Sequence, residues 1–310
     1  MIDVPCLNRG VFLLATALGG TSACTSPAVA VPARVPHPVS SPSLPAITPP
    51  AVGHLPNVNP PESHPFAYMP GVYRYEIRSE AVIRSPSDSR VDSVLSRALI
   101  TLHIARSDTS VITIQGTVDT FTVSHSGSAS AGPLVMSEIP FTLTALANGR
   151  LVEPATVDTT AACAVPANSI GFVARDWLVV MPVPLVPAVE WADSSTVLVC
   201  LSALPVTARI ARRSVAVWAA VPAAWSRQSS DMGYQVSAAT TIMLSGQGHM
   251  AGRSLVLHGD GQGNQVLYVD PELGVMLGGA GNSSTRVVIE AGSQRQEFIQ
   301  TVSRQITLLR

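Results

Sequence analysis

The chain has 310 residues, a formal net charge of −1 and only 13% charged residues. This balance gives neither a basic field nor an acidic run, so nucleic acid is not an expected partner. All 19 lysine-plus-arginine positions are arginine, which excludes enzymes that need a phosphate-loop, Schiff-base or kinase lysine.

The first 24 residues carry an export pattern. Arg9 makes the start weakly positive, and Gly10–Gly20 is an apolar run well short of the roughly 20 residues that a spanning helix needs. The small residues Thr21, Ser22 and Ala23 then lead to Cys24. This arrangement resembles the signal peptides of bacterial lipoproteins, in which the cysteine is acylated and becomes the new amino terminus. The resemblance implies a signal peptide over 1–23, lipidation at Cys24 and attachment to a membrane through the lipid.

An alternative is ordinary cleavage after Ala30, which would release a soluble exported protein. By analogy with the sorting rule of enterobacterial lipoproteins, Ser26 in place of an aspartate after Cys24 points to the outer membrane, facing the periplasm or the cell surface.

Residues 24–70 are predicted to be a disordered, proline-rich tether. Residues 25–70 contain 13 prolines and only two charged residues, Arg34 and Glu62. Proline fixes φ and lacks an amide donor, so this composition disfavours helix and central strand and favours a semi-rigid extended spacer.

Residues 71–310 are predicted to be a single antiparallel β domain, long enough to bury one core. Apolar residues alternate with polar ones, as in strands with one face in water. The alternation covers Tyr73–Ile83, Val94–Arg106, Ile112–Val123 and Val135–Ala145. Its phase switches by one residue near Asp119, which predicts a β-bulge.

The middle of the domain has a different pattern. Asn168–Val180 places apolar residues at helical spacing, which predicts one short helix near 168–180. The proline-rich run Met181–Pro187 ends it and crosses to Trp191. Strands are predicted again at Ser195–Leu204 and Thr207–Ala220.

Arginines at 209, 212 and 213 lie in the second of these strands. They could meet an acidic ligand, but a solvated strand face is the favoured interpretation. Asp193, like Asp176, is interpreted as a cap or turn residue rather than as part of a carboxylate pair.

Glycine-rich segments interrupt the strand-like pattern in the last third of the chain. Gly246–Gly248, Gly259–Gly263 and Asp270–Gly274 are interpreted as turns between strands, the last as a type I turn. Glu297–Leu309 fits both a helix and a strand. Its β-branched residues favour a strand paired with Arg286–Glu290.

The predicted fold is therefore mainly β, with long antiparallel strands in a curved sheet, an open half-barrel or a sandwich. Two cysteines remain in the domain, Cys163 and Cys200, because Cys6 leaves with the signal and Cys24 is the lipidation candidate. An even pair in an exported domain predicts a disulfide, with two buried thiols as the alternative.

No sequence motif predicts catalytic, cofactor-binding or metal-binding residues. Leu244–Gly248 lacks the spacing of a nucleophile elbow, and Gly259–Gly263 lacks that of a dinucleotide loop. A single aspartate there cannot supply the oxygens that calcium requires. His249, His258 and Asp260 would converge on a metal only if a hairpin brought them together, so isolated histidines are the simpler interpretation.

The expected function is a non-enzymatic, membrane-tethered protein that binds an apolar ligand or lipid, or is a component of the cell envelope. The predicted sheet resembles, in fold alone, the half-barrels of periplasmic lipoprotein-carrier and lipid-binding lipoproteins. The alternatives are a structural or assembly subunit and a soluble periplasmic hydrolase. An apolar cavity would favour binding, exposed strand edges would favour assembly, and polar groups converging in one pocket would favour an enzyme.

Overall fold

The computed structural model describes residues 66–309 except 87–90, 109, 127–133, 153–177, 202–203, 227–230 and 251–252. Ten long strands account for most of these residues. They are β1 Gly71–Arg84, β2 Val91–Arg106, β3 Val111–Ser126, β4 Leu134–Leu146, β5 Glu190–Leu201, β6 Leu204–Ala220, β7 Met232–Met250, β8 Arg253–Asp270, β9 Val275–Ala291 and β10 Gln294–Leu309.

The strands form one antiparallel sheet in the order β4-β3-β2-β1-β10-β9-β8-β7-β6-β5. Sequence neighbours pair throughout, except that β1 pairs with β10, and β4 and β5 are the edges. This confirms the predicted mainly β, antiparallel fold. The predicted helix falls largely on 168–177, outside the described residues, and 178–180 are irregular. No helix long and apolar enough to cross a bilayer occurs in the part of the chain that the structure describes.

The sheet is strongly curved, because hydrogen bonds from both of its edges reach two adjacent residues, Val180 and Met181. Residues 178–189, here called the crossing segment, lead into β5. The Asn148 amide, just after β4, donates a hydrogen bond to the Met181 carbonyl at 3.0 Å. The Trp191 indole of β5 donates to the Val180 carbonyl at 2.9 Å. A flat sheet of ten strands would hold its edges about 43 Å apart, so the sheet must curl to bring them to adjacent residues.

Most of the core lies on the inner face of this curl, where alternate side chains of each strand point, and a smaller cluster of Val221, Tyr268, Val275 and Leu277 is separate from it. The predicted bulge is confirmed: Leu99 of β2 faces Thr120 of β3, whereas the next residue, Ile100, faces Val118. Asp119 is therefore the extra residue. The inward phase changes across it, because Val118 and Phe121 are both buried.

One end of the curled sheet is filled by two segments outside the strands. Phe66 and Tyr68 are each only 2% exposed. The Val179 amide donates to the Tyr68 hydroxyl at 2.8 Å, and that hydroxyl donates to the Val179 carbonyl at 3.1 Å. The core thus includes Phe66 and Tyr68, which lie within the segment predicted as tether, because the proline-rich composition concealed two aromatic core residues.

The carboxy-terminal third has fewer turns than predicted. Gly246–Gly248 lies inside β7 and Gly259–Gly263 inside β8, so both predicted turns are wrong. The turn at Asp270–Gly274 is confirmed. The Asp270 carboxylate accepts hydrogen bonds from the backbone amides of Glu272 and Leu273, and Gly274 ends the turn with φ of 56°. β10 confirms the strand prediction for 297–309 and pairs with β9.

Candidate binding cavity

A run of inward-facing glycines leaves open space above the backbone of β8 and β9, on the inner face of the sheet. Five consecutive inward-facing pairs each contain one glycine: Leu267 with Gly279, Gln265 with Gly281, Gly263 with Ser283, Gly261 with Thr285, and Gly259 with Val287. A Cβ on Gly261 would lie 2.5 Å from the Thr285 hydroxyl oxygen, and one on Gly281 would lie 2.9 Å from the Gln265 Cβ. Each pair therefore has room for one side chain, and the inner face here carries half the usual number.

A cavity of about 110 Å³ lies over this glycine-rich surface, between β6 and β10. Its walls are apolar in part, from Ile210, Ile242, Leu267 and Ile306. Seven side chains give it a polar lining: Arg212 of β6, Thr240 of β7, Gln265 of β8, Ser283 and Thr285 of β9, and Gln300 and Arg304 of β10.

Arg212 points into the interior, together with the apolar side chains of β6. Burial alternates strictly along this strand, and Arg212 is in phase with Ile210, whereas Arg209 and Arg213 are exposed on the outer face. The sequence interpretation of all three arginines as a solvated face is therefore wrong for Arg212. The strand's own period of two contained the signal that separates it from the others.

Asp193 of β5 lies opposite Arg212 in the sheet register. The Arg212 Nε and the Asp193 Oδ2 are 4.0 Å apart, and the two side chains are 5% and 4% exposed. Burial lowers the pKa of Arg212, and the charge of Asp193 acts in the opposite direction. Asp193 is thus a buried partner of an arginine, and its interpretation as a turn residue is wrong.

Arg304 and Gln300 line the opposite side of the cavity, on β10. Burial lowers the pKa of Arg304 to about 10, so its guanidinium is still protonated at neutral pH. Gln300 is 2% exposed, and its Nε2 has no hydrogen-bond partner among the described residues. A buried polar group left without a partner costs about 1–3 kcal/mol, and native proteins rarely leave one unless water or a ligand completes its hydrogen bonds.

A second hollow, of about 270 Å³, lies where the two edges of the sheet approach each other. Gly149 and Arg150 line it from the turn after β4, Leu178 from the crossing segment, and Asp193 from β5. Since Asp193 lines this hollow and Arg212 lines the cavity, their ion pair stands between the two.

The described lining of the cavity offers hydrogen-bond donors but none of the common proton-transfer groups. Its described lining provides guanidinium, amide and hydroxyl donors, and it contains no carboxylate, imidazole or thiol. General acid–base catalysis near neutral pH relies on groups of those latter kinds.

The residues considered for metal binding are not brought together. His249, His258 and Asp260 are all exposed. They lie at separate positions of the β7–β8 ladder, opposite Ser254, Ser245 and Met243 respectively. No group of three potential metal ligands occurs in the described ranges.

The predicted modifications of cysteine fall mostly outside the described residues. Cys24 and Cys163 lie there, and Cys200 is a residue of β5 whose side chain is not described. The lipid anchor and the Cys163–Cys200 disulfide therefore stay predictions.

No family model matches the sequence, and a search of curated proteins finds no match. Among solved structures, the chain is similar to an outer membrane channel from Pseudomonas putida F1, with 10% identity and a TM-score of 0.24 over 81% of this chain and 100% of that one. It is also similar to a mutant of the Rh. blastica porin, with 10% identity and a TM-score of 0.21 over 76% and 100% of the two chains. A third similarity is to OpdQ of Pseudomonas aeruginosa, with 4% identity and a TM-score of 0.20 over 77% and 99%. Similarities of this size assign neither a fold nor a function to this chain.

Proposed function

We propose that this chain is an exported, membrane-tethered binding protein of the cell envelope, which holds a small ligand inside its curved sheet and is not an enzyme. One observation carries the proposal: a partly open cavity on the inner face brings seven polar side chains together, and a 2% exposed glutamine amide on its wall lacks a partner among the described residues. Ligand sites typically combine concave apolar walls with a few convergent polar groups.

The outer face of the sheet favours a domain that lies in water. Arg286 donates two hydrogen bonds to the Glu297 carboxylate, at 2.8 and 2.7 Å. On β1, Glu76 pairs with Arg78 at 2.9 Å and also with Arg97 of β2. The side chains of Arg78, Arg97 and Arg286 are more than half exposed despite this pairing, and exposed ionised groups are costly in hydrocarbon. Attachment to a membrane would then come from the lipid on Cys24 and the proline-rich tether, rather than from the sheet.

A hydrolase is the less favoured alternative. The cavity does bring several polar groups together, which is what that alternative requires. The described lining lacks a group able to take up or release a proton near neutral pH, however, and the arginines stay charged. The lining therefore favours binding over hydrolysis.

An assembly role is the second candidate, favoured by the edge strand β5. The other edge, β4, is partly covered by the chain itself, since the Val152 amide donates to the Thr144 carbonyl and the Leu146 amide to the Arg150 carbonyl, at 2.9 and 2.7 Å. Within the described residues, β5 pairs only with β6. An edge of 12 residues is long enough to add a strand from another chain.

The decisive experiment is mass spectrometry of the full-length gene product, purified in mild detergent from the membranes of its source cells. Under denaturing conditions we expect a mature chain that starts at a diacylated Cys24. A chain that starts at Val31 would contradict the tether. The Cys24→Ser variant serves as the control and should lose the lipid mass.

Under native conditions we expect an additional mass that is released on denaturation. A stable oligomer that carries no bound molecule would contradict ligand binding and favour assembly through β5.

A further inference from the structure

We infer that the cavity binds a small oxyanion, of the carboxylate or phosphate type, through Arg212, Arg304 and Gln300. This inference rests on the proposed function, that the cavity holds a ligand, and adds the chemical class of that ligand.

The charge of the cavity is the first argument. Arg212 and Arg304 both line it, and its described lining includes no carboxylate. Asp193 lies on the far side of Arg212, at 4.0 Å, and faces the hollow between the sheet edges. The described lining therefore carries the positive charge of two guanidiniums and no negative charge. Charge-assisted hydrogen bonds from arginine to an oxyanion are about twice as strong as neutral ones and are frequently bidentate.

The curvature of the sheet supplies the second argument. Three strands separate β6 from β10 in the sheet order, so a flat sheet would hold them about 19 Å apart. In the curled sheet, Arg212 and Arg304 line a single cavity of about 110 Å³. A ligand seated there meets cationic donors from two different walls, which is suited to a group with oxygens on several sides.

Hydrogen-bond donors near the arginines are the third argument. Gln300 lies two inward positions from Arg304 on β10 and has an amide nitrogen without a partner. The Gln265 amide nitrogen, on the β8 wall, is likewise buried without a partner in the described part of the chain. The hydroxyls of Thr240, Ser283 and Thr285 complete a lining that can donate to an anion from every strand of the cavity.

Size limits the ligand and argues against a lipid. A cavity of about 150 Å³ accommodates benzene, so one of about 110 Å³ suits a ligand with on the order of four to six non-hydrogen atoms. Phosphate, sulfate and short carboxylates are of this size. An acyl chain exceeds this volume, and it offers no oxygen atoms to the two guanidiniums.

The test is isothermal titration calorimetry of the full chain in detergent, with phosphate, sulfate, acetate and succinate at constant ionic strength set by chloride. We expect saturable binding of at least one anion, and the four arms distinguish carboxylates from tetrahedral oxyanions. Arg304→Gln should weaken binding at least about tenfold. Arg213→Gln removes the same charge from the outer face and should change affinity by less than about twofold.

A neutral substitution keeps the test independent of the arginines. Gln300→Leu should weaken binding by at least about fivefold, whereas Gln305→Leu, at an exposed position of the same strand, should leave it unchanged. Circular dichroism confirms that each variant is folded.

Two titration results would overturn the inference: no heat of binding from any anion up to about 10 mM, or equal weakening by Arg304→Gln and Arg213→Gln. If the native mass spectrum shows a bound neutral molecule or lipid, the inference fails and the proposed function stands. If that spectrum shows no bound molecule and no anion binds, both fail.

Discussion

Removing the charge of Asp193 should destabilise the domain more than any surface substitution. Asp193→Asn keeps the shape of the side chain and removes the carboxylate that lies 4.0 Å from Arg212, where the two side chains are 4% and 5% exposed. At this separation, and with an effective dielectric constant of about 20, the attraction is about 4 kcal/mol. Breaking a buried ion pair from one side typically costs about 3–5 kcal/mol. We therefore expect a loss of about 3–4 kcal/mol, a large part of the roughly 5–15 kcal/mol by which a typical domain is stable.

Equilibrium unfolding in urea, followed by tryptophan fluorescence, measures this loss. The midpoint should fall while the slope of the free energy against urea stays the same. Arg213→Gln, next in sequence to Arg212 but on the outer face, is the matched control and should cost less than about 0.5 kcal/mol. The double variant Asp193→Leu/Arg212→Met should recover most of the loss, because apolar residues often replace a buried pair without penalty. A loss below about 1 kcal/mol for Asp193→Asn would refute the reasoning, since exposed pairs contribute that little.

Two further predictions concern packing and pH. Gly116→Ala should cost about 1–3 kcal/mol, because the new Cβ would overlap the ring of Phe141. It should cost less in a Phe141→Leu background, so additive urea midpoints would contradict the clash. Burial acts to raise the pKa of Glu76, but its hydrogen bonds to arginine lower that pKa overall. A hydrogen bond to Arg286 lowers the pKa of Glu297. Both groups thus add stability at neutral pH that is lost as the pH falls below 4.5. The variant with glutamine at both positions should lose less stability between about pH 5 and pH 3, and an equally steep loss would count against the two pairs.

The first four strands could be predicted from sequence because one face of each is wet and the other is buried. A period of two is visible under that condition, and the bulge at Asp119 appears as a change of phase within it. Strand β10 was harder to predict, since Phe298, Val302 and Ile306 satisfy both periods. Pairing with β1 and β9 selects the strand, and β1 is distant from β10 in the sequence.

The cavity could be predicted only in part. Arg212 is in phase with the buried residues of β6, so its position was available from sequence. The glycines of Gly259–Gly263 were not interpretable in the same way, because their local preference is for turns. Only the register with β9, which sets each glycine opposite a larger residue, shows that they make room inside the sheet. Register depends on long-range pairing, and the sequence of β8 alone does not contain it.

The pairing of β1 with β10 has a consequence for how the domain folds. Every other ladder joins strands that are adjacent in sequence, whereas Tyr75 lies opposite Leu308. This central joint therefore has a very high contact order, and forming it incurs the loop-closure entropy of nearly the whole domain. Strands β1–β4 and β5–β9 can form hairpins as they are synthesised, but they stay two separate pieces until the 16 residues of β10 arrive. The cavity, which β10 helps to wall, comes into existence at that last step. Loss of β10 should therefore divide the sheet at its centre rather than trim its edge.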